Sequence, residues 1–222
     1  MNLGNKKSNL LILLAVFIVG GCGNFSGNYE EIESSTSSDT TTSSDSTSDN
    51  TTTSSDSTAS FVAVGGDGTI LTSSDLTTWT SRTSGTSNSL NGVTFGKYSY
   101  VAVGDNGTIL TSPDGITWTS RTSGTTNSLS EITYGDSVYM TVGANGQILT
   151  SFDGITWVRR PSGTSTDLSG ITFANYHPPN NSSSFVAVGL GGTILTSLAQ
   201  SYVVERTSGT TKNLQGVAYN QW

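Results

Sequence analysis

The sequence predicts an all-β fold: a β-propeller of about four four-stranded blades, its last strand closing the first blade, behind a disordered N-terminal leash. Three observations carry this expectation. The stretch Ser112-Pro113-Asp114-Gly115-Ile116-Thr117-Trp118 has close copies at Ser73 to Trp79 and Ser151 to Trp157. The run from Val101 to Thr111 has partners beginning at Val62, Met140 and Val186, at spacings of 39, 39 and 46 residues. A period near 40 residues is that of a solenoid, propeller or array. Within each unit, β-branched and aromatic residues are interrupted by Asn-Gly and Asp-Gly signals, which is the chemistry of strands and hairpins.

The 222 residues suit one domain with appendages. Residues 1–21 have the layout of a secretory signal peptide, with Lys6 and Lys7 ahead of an apolar run from Leu10 to Val19 and then Gly20-Gly21. Val19-Gly20-Gly21-Cys22 resembles the lipobox of bacterial lipoproteins. That resemblance implies cleavage before Cys22, a lipid on its thiol and a membrane-anchored protein of the bacterial cell envelope. Gly23 after the cysteine favours the outer membrane or the cell surface. The alternatives are an ordinary signal peptide with an incidental cysteine, or an uncleaved anchor. Cys22 is the one cysteine of the chain, so an exported protein of this kind folds without disulfides.

Residues 22–60 form the tether. From Ser34 onward it is almost entirely Ser, Thr and Asp, a composition that buries nothing and so cannot offset the entropy of ordering. As a flexible coil it spans about 35 Å. Glu30, Glu31, Glu33, Asp39, Asp45, Asp49 and Asp56 make it acidic, with no basic residue to balance them. The full chain carries a formal net charge of −7. Without a basic footprint, nucleic-acid binding is excluded as an expectation.

Residues 61–222 hold the repeats. In the second unit, Gly92 to Phe95 reads as strand a, Tyr100 to Val103 as b, Thr108 to Thr111 as c and Ile116 to Thr119 as d. Asn106-Gly107 and Asn145-Gly146 suit tight hairpins between b and c, where positive φ is tolerated. Ser-x-Asp-Gly between c and d closes a turn through side chain to backbone hydrogen bonds. Strand b is apolar at successive positions, so both of its faces should be covered. Four-stranded units of this length, repeated and buried on both faces, read as propeller blades.

The Ser-x-Asp-Gly-x-Thr-Trp units resemble the Asp-box, or bacterial neuraminidase repeat, with one residue fewer between Asp and Gly. The structural residues this resemblance implies are Ser73, Asp75 and Trp79, then Ser112, Asp114 and Trp118, then Ser151, Asp153 and Trp157. The first copy has Leu76 in place of the Gly, and the fourth, Ser197-Leu198-Ala199-Gln200, has lost the Asp. The whole unit, with Gly-Thr-Ile-Leu-Thr-Ser before and Arg-Thr-Ser-Gly-Thr after, is more similar to the propeller repeats related to the photosystem II assembly factor. That resemblance spans residues 61 to 222 and implies a fold more than a function.

The repeat region begins at strand b, with Phe61, and its last segment, Leu214 to Trp222, aligns with Leu90 to Tyr98. Pairing the two ends closes four blades in one chain. The competing reading is an array that needs a second copy, a homodimer of perhaps eight blades. Arg82, Arg121, Arg160 and Arg206 stand at equivalent places at the end of strand d, as a candidate binding rim for a protein or glycan partner. The alternative is that each arginine caps its own blade. Repetition over four blades keeps them from converging on one ligand.

The links that follow them, such as Ser123-Gly124-Thr125-Thr126-Asn127-Ser128, are polar loops on one face, and loops carry binding disproportionately. Tyr176 to Ser182 is an insertion in the third repeat. It holds His177, the one histidine, so no histidine-rich metal site or His-based triad is expected. No catalytic residue, metal or cofactor is assigned. The reading is a non-enzymatic, lipid-anchored envelope propeller binding a protein or glycan through the loops between strands d and a. The alternatives are a sialidase-like glycan hydrolase and an assembly factor for a membrane protein complex.

Overall fold

The computed structural model describes residues 59–175, 184–198 and 203–220. Cys22, the signal segment, the tether up to residue 58 and the insertion around His177 lie outside the described residues; Ala59, expected in the disordered tether, is instead buried and hydrogen-bonded to the second repeat. Among the described residues, fifteen strands form four antiparallel sheets in series. The first sheet holds β1 (Phe61–Val64), β2 (Ile70–Ser73) and β3 (Thr80–Arg82). The second holds β4 (Leu90–Gly96), β5 (Ser99–Gly104), β6 (Ile109–Ser112) and β7 (Thr119–Arg121). The third holds β8 (Leu129–Gly135), β9 (Val138–Gly143), β10 (Gln147–Ser151) and β11 (Val158–Arg159). The fourth holds β12 (Leu168–Ala174), β13 (Ser184–Gly189), β14 (Ile194–Leu198) and β15 (Val203–Arg206).

Each sheet is a meander, its strands hydrogen-bonded in sequence order. The Asn-Gly hairpins form as expected: Asn106 and Asn145 have φ of 55° and 56°, each followed by a glycine with positive φ. Two consecutive left-handed residues match the twist of the strands they join. Gly107 is required for a second reason. A Cβ there would stand 2.1 Å from the Thr125 carbonyl oxygen, because the link after β7 folds back against this turn.

The middle of the array is packed on both faces. Val101, Ala102 and Val103 of β5 are fully buried, as are Val138, Tyr139 and Val142 of β9. Successive apolar residues were the sequence signal for this double coverage. Between sheets, the innermost strands stack. Leu129 and Ile132 of β8 join Val101, Val103 and Ile109 of the preceding sheet in one apolar cluster. A ring from β8 and one from β12 each lie against a glycine of the inner strand of the preceding sheet, Tyr134 on Gly96 and Phe173 on Gly135.

Two expectations change. Strand d begins three residues later than its apolar pattern suggests, at Thr119 rather than Ile116. The N–H groups of Ile116 and Thr117 are held by the Asp114 carboxylate, so they are not available to a ladder. The closing strand also differs. The first sheet has three strands, and residues 214–220 pair with none of them. They dock instead beyond the fourth sheet, where the Leu214 N–H donates to the Gly189 oxygen at 3.0 Å, as the Leu90 N–H does to Gly65. They occupy the place of an inner strand for a fifth sheet.

Candidate functional site

The Ser-x-Asp turns are built alike. Ser73, Ser112 and Ser151 are buried and donate through their hydroxyls to Asp75, Asp114 and Asp153 at 3.0, 2.8 and 2.9 Å. One carboxylate oxygen of each aspartate then accepts two successive backbone N–H groups, each at 2.8 Å. The Thr78 and Thr77 N–H groups hold Asp75 well below the usual carboxylate range. Asp153 is lowered to about 2, first by the Thr156 N–H and then, against the cost of desolvation, by that of Ile155. For Asp114, desolvation opposes the shift and the Thr117 and Ile116 N–H groups outweigh it. On each aspartate this one oxygen is engaged by its own loop, and bonding to the charged form is what lowers the pKa.

Trp118 and Trp157 donate from the indole nitrogen to the Gly115 and Gly154 oxygens at 2.9 and 3.0 Å and lie beside Tyr100 and Tyr139. They pack the blades rather than face a ligand. Trp79 is more exposed, and the residue at the glycine position of its turn is Leu76, with a left-handed φ of 65°.

Arg82, Arg121 and Arg206 end β3, β7 and β15, and Arg160 directly follows β11. Every one donates from Nε to a threonine ten residues earlier on the neighbouring strand, Thr72, Thr111, Thr150 or Thr196, at 2.9 Å. Sequence reasoning missed this partner: the threonine recurs in each Ile-Leu-Thr-Ser run or its equivalent, but only the strand register shows that it faces the arginine. One of these four arginines belongs to each sheet, so the four are distributed and do not gather at one point.

The loops after the arginines define an open face. Ser84, Ser123, Ser162 and Ser208 each donate to the carbonyl two residues on, locking the same turn four times. Asparagines tie these links to the hairpins: Asn106 donates to Asn88, Asn88 to Thr108, and Asn145 to Asn127. Between link and hairpin lie three equivalent clefts of about 730, 610 and 520 Å³. Arg121, Arg206 and Arg82 each line one of them, with the glycine and threonines of the following link.

On the opposite face a smaller cleft of about 430 Å³ is lined by Lys97, Tyr98, Tyr134, Ser137 and Phe152. Burial pushes the Glu131 carboxyl up, partly offset by the Ile132 N–H. Glu131 stands at the inner-strand position that is Gly92, Gly170 and Gly216 in the other repeats. Among the described residues no three His, Cys, Asp or Glu side chains gather as a metal site.

Fold and site together define a β-propeller head whose repeated polar loops present one face of open clefts. No family model matches the sequence, and no curated protein matches it significantly. Solved structures do match in fold. One described as Ycf48 bound to D1 peptide aligns at a TM-score of 0.53 with 19% identity, over 70% of this chain and 52% of that one. Ycf48 from Cyanidioschyzon merolae aligns at 0.52 with 17% identity, over 71% of this chain and 55% of that one. The chain therefore spans just over half the length of these propellers. The likeness bears out the fold implied by the photosystem-type repeats.

Proposed function

We propose that the repeat head is a non-enzymatic binding module that holds an extended segment of a protein client and serves the assembly of a membrane protein complex. The observation that carries this reading is the row of equivalent clefts on the loop face. An extended polypeptide offers polar backbone groups at regular intervals, and like clefts recurring on the first, second and fourth sheets suit it better than they suit one compact ligand. The fold likeness to a propeller described as bound to a peptide supports the same class of partner. The distributed arginines, each bonded within its own sheet, support a binding surface over a sialidase-like catalytic pocket. In this reading Cys22 carries the lipid, and the Ser/Thr/Asp tether lets the head reach clients in the bacterial envelope.

The test is capture of membrane proteins from detergent-solubilised envelopes of the source bacterium, with the head as bait. Ser87 and Thr126 are exposed cleft residues on the loop face, so the double variant Ser87→Arg, Thr126→Arg is expected to lose the captured protein while melting as the parent does. Phe152→Ser, on the opposite face, is expected to retain it. The reverse pattern moves the client to the aromatic cleft, and capture of nothing by the parent sinks the reading.

A further inference from the structure

The two ends of the array are unfinished in complementary ways. At the leading end the first sheet lacks an inner strand, the place that β4, β8 and β12 fill in the other three. Val62, Ala63 and Val64 are half-buried where Val101, Ala102 and Val103 one repeat later are fully buried. Phe95 shows the same defect. Its counterparts Tyr134 and Phe173 lie on Gly96 and Gly135 of the preceding inner strand, whereas Phe95 has no such strand beneath it and is 52% exposed. Residues 22–58 do not carry the missing pattern, being almost free of apolar side chains.

At the trailing end residues 214–220 have the sequence of an inner strand, Leu-Gln-Gly-Val-Ala-Tyr-Asn against Leu-Asn-Gly-Val-Thr-Phe-Gly in β4. They already stack on the fourth sheet, since a Cβ on Gly170 would stand 2.9 Å from the Gln215 oxygen. Their far side is open. A Cβ at Gly216 would meet nothing within 4 Å, whereas at the equivalent Gly92 it would meet Glu131 of the next strand.

We infer that a second copy of this chain completes the ring: residues 214–220 of each copy pair with β1 of the other and form the inner strand of its first sheet. The register follows from β4 and β5, where Val93 faces Ala102 and Phe95 faces Tyr100. By the same register Val217 faces Ala63 of the second copy, and Tyr219 faces Phe61. Asn220 then lies under Phe95, at a position that is Ala174 in the fourth sheet and so accepts a Cβ. Four sheets per chain give eight blades, within the usual range for closed propellers. A head-to-tail contact that closes after two copies also pairs the open edge of β1 and covers the open face of residues 214–220, which an open array leaves available for aggregation.

The mass of the full chain in solution, measured by light scattering at micromolar concentration, is expected to be twice that of one chain. In a Cys22→Ser background, Ala63→Cys and Val217→Cys are made separately, mixed and oxidised. The expected product is a disulfide-linked pair containing one of each, formed only in the mixture. Val217→Pro removes a ladder N–H and is expected to give monomers whose sheet content is otherwise kept. A monomeric parent overturns the inference. So does a double-cysteine chain that links within itself, which would mean closure inside one copy. Masses that grow without limit would mean an open polymer and overturn it equally.

Discussion

Leu76 and Asp153 show how much a single position decides in these turns. Gly115 and Gly154 take positive φ at no steric cost, whereas Leu76 holds 65° with its side chain half exposed. A left-handed conformation costs a residue with a Cβ roughly 1–2 kcal/mol, less what glycine loses in unfolded-state entropy. Leu76→Gly is therefore expected to stabilise the head by about 0.5–1 kcal/mol, read as a higher melting temperature. Asp153 works through its charge. Its folded pKa is lowered to about 2 from an ordinary 3.8, so between those values the unfolded chain binds the proton that the folded one refuses. The stability it adds is complete above about pH 4 and is lost as the pH falls toward 2. Melting temperatures taken down this range should fall for the parent and fall less for Asp153→Asn. At neutral pH Asp153→Ala should cost about 1 kcal/mol after solvent screening.

At the scale of the element, an arginine–threonine bond in each sheet reinforces the backbone ladder between strand d and strand c. Arg121 reaches Thr111 at 2.9 Å across a three-residue strand whose other two residues, Thr119 and Ser120, are exposed. Arg121→Ala and Thr111→Val should each cost about 1 kcal/mol, and the double variant little more than either. An additive double-mutant cycle would show that the pair is not coupled. The meander of four strands was legible in the sequence because the turn residues and the doubly buried strand b are local signals. The start of strand d was not, since Ile116-Thr117-Trp118 has strand composition while Asp114 takes its amides. The arginine's role was also only half legible. Its place at the end of strand d was readable, but its bond to a particular threonine depends on a register that composition does not show. The clefts were less legible still, because they lie between a link and a hairpin that are close in space through backbone contacts at Gly68, Gly107 and Gly192.

For the whole molecule, what one copy of the repeat says about itself does not say how many copies make a ring. The unit reads plainly from residues 61 to 222, but how many units close a ring depends on how neighbouring sheets pack, a packing in which Tyr134 and Phe173 seat on the preceding inner strand. A closed four-blade ring and a half-ring of eight share the same strands and differ in that seating. The point where the chain enters the array has its own consequence. Ala59 is buried, its N–H donates to the Asp114 oxygen at 3.0 Å, and its oxygen accepts from the Tyr100 hydroxyl at 2.7 Å. Both partners belong to the second sheet. Tension applied to the chain ahead of Ala59 thus meets this two-bond clasp on a neighbouring blade before it meets the half-buried strand β1. A head hauled about by its N-terminus is gripped one blade in from its edge, so the weakest strand of the array is the last part of the hitch to feel the load.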